Sequence, residues 1–302
     1  MFEKYIEEEF QKYYSTLSNS KLYEYVRYSS EGGKYLRGFI VKHIITTLSK
    51  KAHNFWQPIV CVELLHSASL MIDDLPCMDN DKIRRNKPSM FVEFGERRAI
   101  LVAFYLVSDA FKLLHQSFRQ IRPILKDDET ISKKFNLEDH LETLYSMCDY
   151  WNDLIGNKLI VGQLIDLRED VVELMNIKIP KTKKEQTVMI YKTSSLFSFC
   201  FILGAIYSLN VELNLEEFKE MGYYMGIMYQ LMDDYNDKDK NGETNHVASC
   251  GYTKSINLYK ECRENLILLL EKNGIKTDEL MCVINLMDQK IDYNPEEEAK
   301  PP

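Results

Sequence analysis

One apolar helix limits what this chain can fold into more than any other part of the sequence. Residues 59–75, IVCVELLHSASLMIDDL, carry apolar side chains almost all the way round the helical period. A helix without a polar face has to be covered on every side, so we expect it at the centre of a helical bundle. His66 and Asp73 are seven residues apart, which places them two turns apart on one side of this helix. Because such groups are costly to bury without partners, we expect them to line a cavity.

The remaining sequence also has a helical pattern. The 302 residues include 12 glycines and 8 prolines, a low number that favours long helices joined by few turns. Apolar residues recur at helical spacing, and neither a strand-type alternation of useful length nor a fixed repeat is present. We therefore predict an all-α helical bundle around a central cavity, formed by a single domain over residues 1–302, with residues 292–302 as a disordered tail.

Composition and charge argue against several classes of protein. Lys and Arg number 38 against 46 Asp and Glu, a net charge of −8, so nucleic acid is not an expected partner. The seven cysteines are scattered without a CxxC pair, which indicates reduced thiols in the cytoplasm and no zinc site. The acidic N-terminal sequence is unlike a secretory signal, and the most apolar run, residues 196–207, is too short to cross a bilayer. We expect a cytoplasmic protein without a transmembrane segment.

The central helix runs into a dense group of charges, DDLPCMDNDKIRR. Carboxylates this close repel one another unless a cation intervenes, and hard oxygen ligands without cysteine or histidine suit Mg²⁺ or Mn²⁺. The guanidinium groups that follow suit phosphate oxygens, since each can donate two parallel hydrogen bonds. A metal and arginines beside an apolar helix indicate a site for a diphosphate on an apolar substrate; the alternative is a solvated, charged loop. The charged residues are Asp73, Asp74, Asp79, Asp81, Arg84 and Arg85.

Two further motifs carry charge at predicted helix ends. In YQLMDDYND, Asp233 and Asp237 are four residues apart and share a helix face. Carboxylates at the negative end of a helix dipole are unfavourable without a cation, so this is either a second metal site or a helix running into a charged loop. In GGKYLRG, Lys34 and Arg37 share a face after a glycine pair, which suits either an anion-binding turn or a helix-terminal turn with exposed basic residues.

Two carboxylate clusters on opposite sides of one cavity would suit three Mg²⁺ ions that hold a diphosphate. The ions, with Arg84 or Lys192, would neutralise the departing pyrophosphate and so lower the barrier to C–O heterolysis. The apolar helices would shield an allylic carbocation from water.

Five ordered motifs, with the overlapping YQLMDD and DDYND counted as one, together resemble the trans-isoprenyl diphosphate synthases, the polyprenyl synthetase family, of the geranylgeranyl or farnesyl diphosphate synthase kind. DDLPCMDND at 73–81 is similar to the family's first aspartate-rich motif in its longer form, and DDYND at 233–237 to its second. GGKYLRG, GQLID, YKTSSLF and YQLMDD stand in the order of the family, so the resemblance covers about residues 32–254. It implies the all-α prenyltransferase bundle, usually a homodimer.

The resemblance also implies roles for individual residues. Isopentenyl diphosphate would be bound by Lys34, Arg37, His66 and Arg85. Mg²⁺ would be bound directly by Asp73, Asp79, Asp166 and Asp233, and through water or as further ligands by Asp74, Asp234 and Asp237. The allylic diphosphate would be contacted by Arg84, Lys192 and Gln230. The carbonyl or hydroxyl of Thr193 and the amide of Gln230 would stabilise the carbocation.

Product length is expected to depend on the helix before the first aspartate motif. Ala68, five residues before Asp73, and Ser69 are small, whereas farnesyl-producing members of the family tend to carry a bulky aromatic residue nearby. We therefore predict a Mg²⁺-dependent head-to-tail (1′-4) condensation of isopentenyl diphosphate with an allylic diphosphate, which gives geranylgeranyl diphosphate or a longer all-trans product. The alternative product is farnesyl diphosphate.

Several positions depart from the family pattern. GGKYLRG has Gly38 where the family's GGKRxRP has proline, and Ala103-Phe104 stand where the family has Gly-Asp. The loop after DDYND is shortened, and Glu243 falls at about the position of one of two usual lysines. These departures keep open a weakly active or regulatory subunit of a heteromeric synthase.

Two other classes remain as alternatives. A class I terpene cyclase normally replaces the second aspartate motif, so DDYND and the Lys34–Arg37 pair argue against it. A helical interaction protein without catalytic activity would not need a Mg²⁺ and diphosphate site.

Overall fold

The computed structural model describes residues 3–17, 21–49, 55–127, 137–167, 184–210, 212–237 and 245–291. These residues form helices and their connecting turns, with one short hairpin, so the all-α prediction is confirmed. Contacts between Cα atoms divide the chain into two compact units, Met1–Ser146 with Leu203–Val211, and Met147–Ile202 with Glu212–Pro302. The single domain and the central cavity stay predictions, and the predicted tail at 292–302 lies outside the described residues.

The first unit is built around the helix that the sequence places at the centre. Its elements are α1 (Glu3–Thr16), α2 (Lys21–Ser30), α3 (Leu36–Leu48), α4 (Gln57–Asp73), β1 (Ile83–Arg84), β2 (Lys87–Pro88), α5 (Met90–Phe94), α6 (Glu96–Asp127) and most of α7 (Leu137–Tyr150). Pro58 lies in the first turn of α4, where its missing N–H is not needed. α4 is buried over most of its length and contacts α1, α2, α3 and, most extensively, α6. The apolar pattern therefore predicted the position of this helix correctly.

The second unit contains two π-helical segments that the sequence pattern did not predict. Its elements are π1 (Trp151–Leu159), α8 (Ile160–Asp166), α9 (Lys184–Val188), π2 (Met189–Ser194), α10 (Ser195–Tyr207), α11 (Leu215–Asn236), α12 (His246–Cys250), α13 (Tyr252–Lys272) and α14 (Asp278–Lys290). Three helices begin with a side-chain cap: Asn214 on α11, Asn245 on α12 and Thr277 on α14 each accept a backbone N–H.

Glycines let the backbones of the second unit approach one another closely. A Cβ added to Gly162 would lie 2.3 Å from the backbone nitrogen of Lys192, and one added to Gly222 would lie 2.3 Å from Cα of Ser198. At Gly226 the added atom would be 2.4 Å from Cα of Ser194. Since real Cβ atoms never come this near to backbone, α8, π2 and α11 can pack in this way only because these three positions lack side chains.

Two helical stretches within the described residues have the length and hydropathy of a membrane span, Glu96–Ile121 and Gln186–Tyr207. In the second, 78% of the apolar window is buried inside the protein, as in the core helix of a globular protein. This stretch is longer than the run 196–207 seen in the sequence because α9 and π2 lead directly into α10. The expectation of no transmembrane segment stays a prediction.

We predict that Gly222→Ala destabilises the protein by about 2 to 3 kcal/mol, the usual cost of overpacking a core, because the new methyl group meets the backbone at Ser198. The free energy of unfolding in urea measures the change. Gly156→Ala is the matched control, since its added Cβ has nothing nearer than 3.9 Å. It should leave stability unchanged or raise it by up to about 1 kcal/mol. Equal stabilities for the two variants would contradict the close packing of α11.

Candidate functional site

A tight turn after α4 folds the first aspartate motif back on itself. Asp73 is the last residue of α4, and the backbone N–H of Asp79 donates to the Asp73 carbonyl at 2.9 Å. The N–H of Asn80, at a left-handed φ of 54°, donates to Leu75 at 3.1 Å. The turn therefore brings two predicted metal ligands close together, a relation that the sequence spacing alone did not require.

Arg84 binds the carboxylates of this turn. Its Nε donates to Oδ1 of Asp74 at 2.9 Å, and its Nη2 donates to the same oxygen and to Oδ2 of Asp81 at 2.8 Å. Asp74 is only 2% exposed, and this burial raises the pKa of its carboxyl although Arg84 acts in the opposite direction. Arg84, which was predicted to contact an allylic diphosphate, is therefore already bound to two carboxylates.

Arg85 lies against the end of α2 and the glycine pair. It follows Arg84 in the turn between β1 and β2, with φ of 53°. Its Nη1 donates to the carbonyls of Ser29 at 2.8 Å and Glu31 at 3.2 Å. A Cβ on Gly33 would come within 3.3 Å of its guanidinium, so the glycine leaves room for this side chain. Burial lowers the pKa of Arg85.

Four cations of the first unit affect the ionisation of His66. Burial lowers the pKa of its imidazole well below the usual value, and nearby cations lower it further. His66 is therefore neutral at pH 7, and a neutral imidazole can donate one hydrogen bond and accept another. The cations, in decreasing order of effect, are Arg37, Arg85, Arg84 and Lys34. The three predicted cationic ligands of isopentenyl diphosphate, Lys34, Arg37 and Arg85, thus lie near enough to His66 for their charges to affect its pKa.

Glu63 is a buried charge in this region that the sequence analysis passed over. It lies on α4, three residues before His66, with 2% of its surface exposed. Its Oε1 accepts the backbone N–H of Gly38 at 2.7 Å. The pKa of its carboxyl is raised, because burial outweighs the opposing effects of the backbone N–H groups of Gly38 and Arg37 and of the charges of Arg37 and Arg85. A single acidic residue inside an otherwise apolar helix was the signal that could have found it.

In the second unit, Lys192 meets Asp166. Lys192 Nζ donates to Oδ2 of Asp166 at 2.7 Å, and both side chains are partly exposed. The contact depends on Gly162, which lets the turn of α8 before Asp166 lie against the backbone of π2. The motifs GQLID and YKTSSLF, 26 residues apart at this contact, are therefore neighbours in the fold.

A chain of hydrogen bonds joins Thr193, Gln230 and Asp234. Thr193 Oγ1 donates to Oε1 of Gln230 at 2.6 Å, and Nε2 of Gln230 donates to Oδ1 of Asp234 at 2.8 Å. The second carboxylate oxygen of Asp234 accepts the backbone N–H of His246 at 2.8 Å. Asp234 is 6% exposed, and burial raises the pKa of its carboxyl. Both predicted cation-stabilising side chains are thus fixed in one network, and both oxygens of Asp234 bind protein groups.

The other aspartates of the second motif are more accessible. Asp233 is half-buried and Asp237 is exposed, and the Asp237 N–H donates to the Asp233 carbonyl at 3.0 Å. The loop that follows, with Glu243, lies outside the described residues.

The carboxylates have the donor chemistry that Mg²⁺ requires, since every candidate ligand is a hard oxygen. Among the described residues, no group of three His, Cys, Asp or Glu side chains forms a ready-made metal site. This arrangement still fits Mg²⁺, because in phosphate-binding sites the ion is held by one or two carboxylates and completes its shell with water and substrate oxygens.

The two residues expected to control product length differ in burial. Ala68 is 2% exposed, and Ser69 is half-buried, with its hydroxyl donating to the carbonyl of His66 at 2.9 Å. Both are small side chains on α4, and their effect on product length stays a prediction.

Known proteins resemble this chain in sequence and in structure. The model of a family described as polyprenyl synthetase matches residues 19–247. The farnesyl diphosphate synthase of Bacillus subtilis is 30% identical over 213 residues, 70% of this chain and 64% of that protein. The heterodimeric geranylgeranyl pyrophosphate synthase large subunit 1 (chloroplastic) of Arabidopsis thaliana is 26% identical over 224 residues, 74% of this chain and 56% of that protein. The chain therefore spans less than two thirds of the length of either relative.

A solved structure gives the same result for the fold. The geranyltranstransferase of Thermotoga maritima has a TM-score of 0.73 and 22% identity, with 96% of this chain and 97% of that chain covered. This similarity supports the helical fold, independently of the sequence motifs.

We predict that His66 makes the protein less stable in mild acid. Its folded pKa lies below the unfolded value, so a fall in pH through about 6.5 protonates the unfolded chain first and favours unfolding. The loss from this residue is at most about 1.4 kcal/mol for each pH unit. Urea unfolding of wild type and His66→Asn between about pH 7.5 and 5.5 measures the difference. His115→Asn, at an exposed histidine of α6, is the control and should show the same change of unfolding free energy with pH as wild type. If His66→Asn also shows the wild-type change, His66 is not the cause of the loss of stability in acid.

Proposed function

The chain belongs to the polyprenyl synthetase family, and on that premise we propose that it condenses isopentenyl diphosphate head-to-tail (1′-4) with an allylic diphosphate. The observation that carries the proposal is the group of cations around His66, which lies on the same helix as Asp73. Basic side chains of this density suit a diphosphate, and the apolar body of α4 suits a prenyl chain.

Each group of residues has a separate task in the proposed reaction. Lys34, Arg37 and Arg85 bind the diphosphate of isopentenyl diphosphate by charge, and neutral His66 adds a hydrogen bond. Arg84 would contact the allylic diphosphate while Asp74 holds its guanidinium in place, and Lys192 would exchange Asp166 for phosphate oxygens. The Thr193–Gln230–Asp234 chain holds its dipoles fixed, so that oxygen atoms near the developing carbocation do not have to reorient.

Mg²⁺, or Mn²⁺ in its place, would neutralise the leaving diphosphate. The residues that would hold it are Asp73, Asp79, Asp166 and Asp233, with Asp74, Asp234 and Asp237 in supporting positions. The buried pair Asp74 and Asp234 would act through their protein contacts, since their oxygens already bind Arg84, Gln230 and His246.

The proposed product is geranylgeranyl diphosphate or a longer prenyl diphosphate. Small side chains at Ala68 and Ser69 support this length, because they leave the turn of α4 before Asp73 without a bulky group that would stop growth of the prenyl chain. The relatives include both a farnesyl and a geranylgeranyl synthase, so the choice between C15 and C20 rests on these residues.

We predict that the purified protein extends farnesyl diphosphate with isopentenyl diphosphate in the presence of Mg²⁺, and that Ala68→Tyr shortens the product. The tyrosine ring would fill the space into which the longer chain grows. Chromatographic sizing of radiolabelled products measures both effects, with EDTA as the control that should abolish turnover. Products that stop at C15 in wild type would overturn the length assignment.

A second candidate function is a weakly active or regulatory subunit of a heteromeric synthase. The Arabidopsis relative is by name the large subunit of a heterodimeric synthase. Absence of turnover with dimethylallyl, geranyl and farnesyl diphosphates, together with retained binding of diphosphate, would favour this candidate over the enzyme.

We also propose that the protein is a cytoplasmic homodimer that uses the outer face of α6. This helix exposes four large apolar side chains in succession, Leu101 (68%), Phe104 (68%), Val107 (38%) and Phe111 (41%). A contiguous apolar stripe on one helix can pair with the same stripe of a second copy about a two-fold axis.

Leu101→Asp is predicted to give a monomer, because a charge within an apolar contact is costly to desolvate. Sedimentation analysis should show twice the chain mass of 35.6 kDa for wild type and the single chain mass for the variant. Leu268→Asp is the matched control, at a residue of α13 that is 64% exposed. A monomeric wild type, or a dimer that survives Leu101→Asp, would refute this interface.

A further inference from the structure

We propose that Glu63 is a positioning residue for the cations that bind isopentenyl diphosphate. The inference rests on the proposed function and adds a buried carboxylate that does not itself meet the substrate. Its effect is exerted through the start of α3, which carries Arg37, and through Arg85.

Glu63 caps α3 from a neighbouring helix. The residue before α3, Tyr35, has a left-handed φ of 51° and provides no side-chain cap. The first N–H groups of a helix lack partners within it, and a negative charge near them is favourable. Glu63 on α4 accepts the N–H of Gly38 at 2.7 Å and also interacts with the N–H of Arg37. The carboxylate therefore fixes the turn of α3 that carries a diphosphate ligand.

Gly38 allows this approach. A Cβ at this position would lie 3.1 Å from Cγ of Glu63 and 3.3 Å from the carbonyl oxygen of Ile59, so a side chain would have to push the carboxylate away. Proline, the residue of the similar family motif, could not donate the hydrogen bond because it has no N–H. Gly38 and Glu63 thus form a matched pair in this chain.

Glu63 also balances the charge of the cationic group. Lys34, Arg37 and Arg85 repel one another, and Arg37 is only 9% exposed, so water screens its charge poorly. Arg85 is held on one side by the carbonyls of Ser29 and Glu31, and it interacts favourably with the charge of Glu63. Removal of this negative charge would leave the cations to move apart before the substrate arrives.

Two effects of opposite sign can follow when Glu63 loses its charge. If the carboxylate only reduced the positive potential, its removal would strengthen diphosphate binding. If it positions Arg37 and Arg85, its removal weakens binding, because an incorrectly placed guanidinium loses its paired hydrogen bonds. The direction of the change in KM therefore separates the two roles.

The test is steady-state kinetics of Glu63→Gln with each substrate varied in turn. We expect KM for isopentenyl diphosphate to rise at least about tenfold, with kcat and KM for the allylic diphosphate within about threefold of wild type. Gly38→Ala should show the same pattern, because its methyl group displaces the Glu63 carboxylate from the start of α3. An unchanged or lower KM for isopentenyl diphosphate in both variants would overturn the proposal.

Asp288→Asn is the control for a general effect of a buried carboxylate. Asp288 is 3% exposed in the second unit, where it binds Tyr259 at 2.8 Å and Arg263 at 2.9 Å. This variant should lose stability but keep the wild-type KM for both substrates. A rise in KM for isopentenyl diphosphate equal to that of Glu63→Gln would contradict a specific role for Glu63.

Calorimetric titration with inorganic pyrophosphate separates failure of this inference from failure of the proposed function. If wild type shows no turnover, the enzymatic function is wrong, and the titration then decides on Glu63 alone. Pyrophosphate binding that is at least about tenfold weaker in Glu63→Gln than in wild type supports the positioning role. Equal affinity, or no binding by wild type, refutes it.

Discussion

A carboxylate buried among helices needs its counter-charges and hydrogen-bond donors inside the protein, and both units of this chain are arranged around that requirement. In the first unit, Asp74 is neutralised by Arg84, and Glu63 is held by the start of α3 and by nearby arginines. In the second unit, Asp234 takes an amide N–H from Gln230 and a backbone N–H from His246. Because these partners are fixed before any ligand binds, the charges around them are preorganised rather than mobile. The cost of burial is offset by the protein itself.

Close helix packing places the polar groups of the second unit. Without side chains at Gly162 and Gly226, α8 and α11 lie directly against π2. Lys192 can then reach Asp166, and Thr193 can reach Gln230, although each pair is far apart in the sequence. The extra residue in each turn of π2 changes which side chains face these helices. Packing and site geometry in this unit therefore have the same cause.

The sequence predicted the periodic features of the fold and missed those that depend on single contacts. The apolar run of α4 was enough to place it at the centre of a helical bundle. The spacing of Lys34 and Arg37 predicted only a shared face, and their grouping with His66 came from the resemblance to the family. The π-helical segments were not predicted, because apolar periodicity does not distinguish them from α-helix. An acidic residue in an apolar run indicates that Glu63 needs a partner, but the sequence cannot identify that partner, since it is a backbone N–H of another helix.

In each of the two adjacent aspartate pairs, Asp73-Asp74 and Asp233-Asp234, one residue has a structural role and the other has a proposed role in binding the metal. Neighbouring residues on a helix point about 100° apart, so one of an adjacent pair can face the interior while the other faces solvent. In both pairs the second member is buried, Asp74 at 2% and Asp234 at 6%, whereas Asp73 and Asp233 are half-buried. A buried carboxylate stabilises a fold less than an apolar side chain of similar size, so packing alone does not account for this repeated arrangement. The proposed reaction gives each member of a pair a role. The buried aspartate, Asp74 or Asp234, holds Arg84 or Gln230 in place, and the half-buried aspartate, Asp73 or Asp233, remains within reach of a metal ion and its diphosphate.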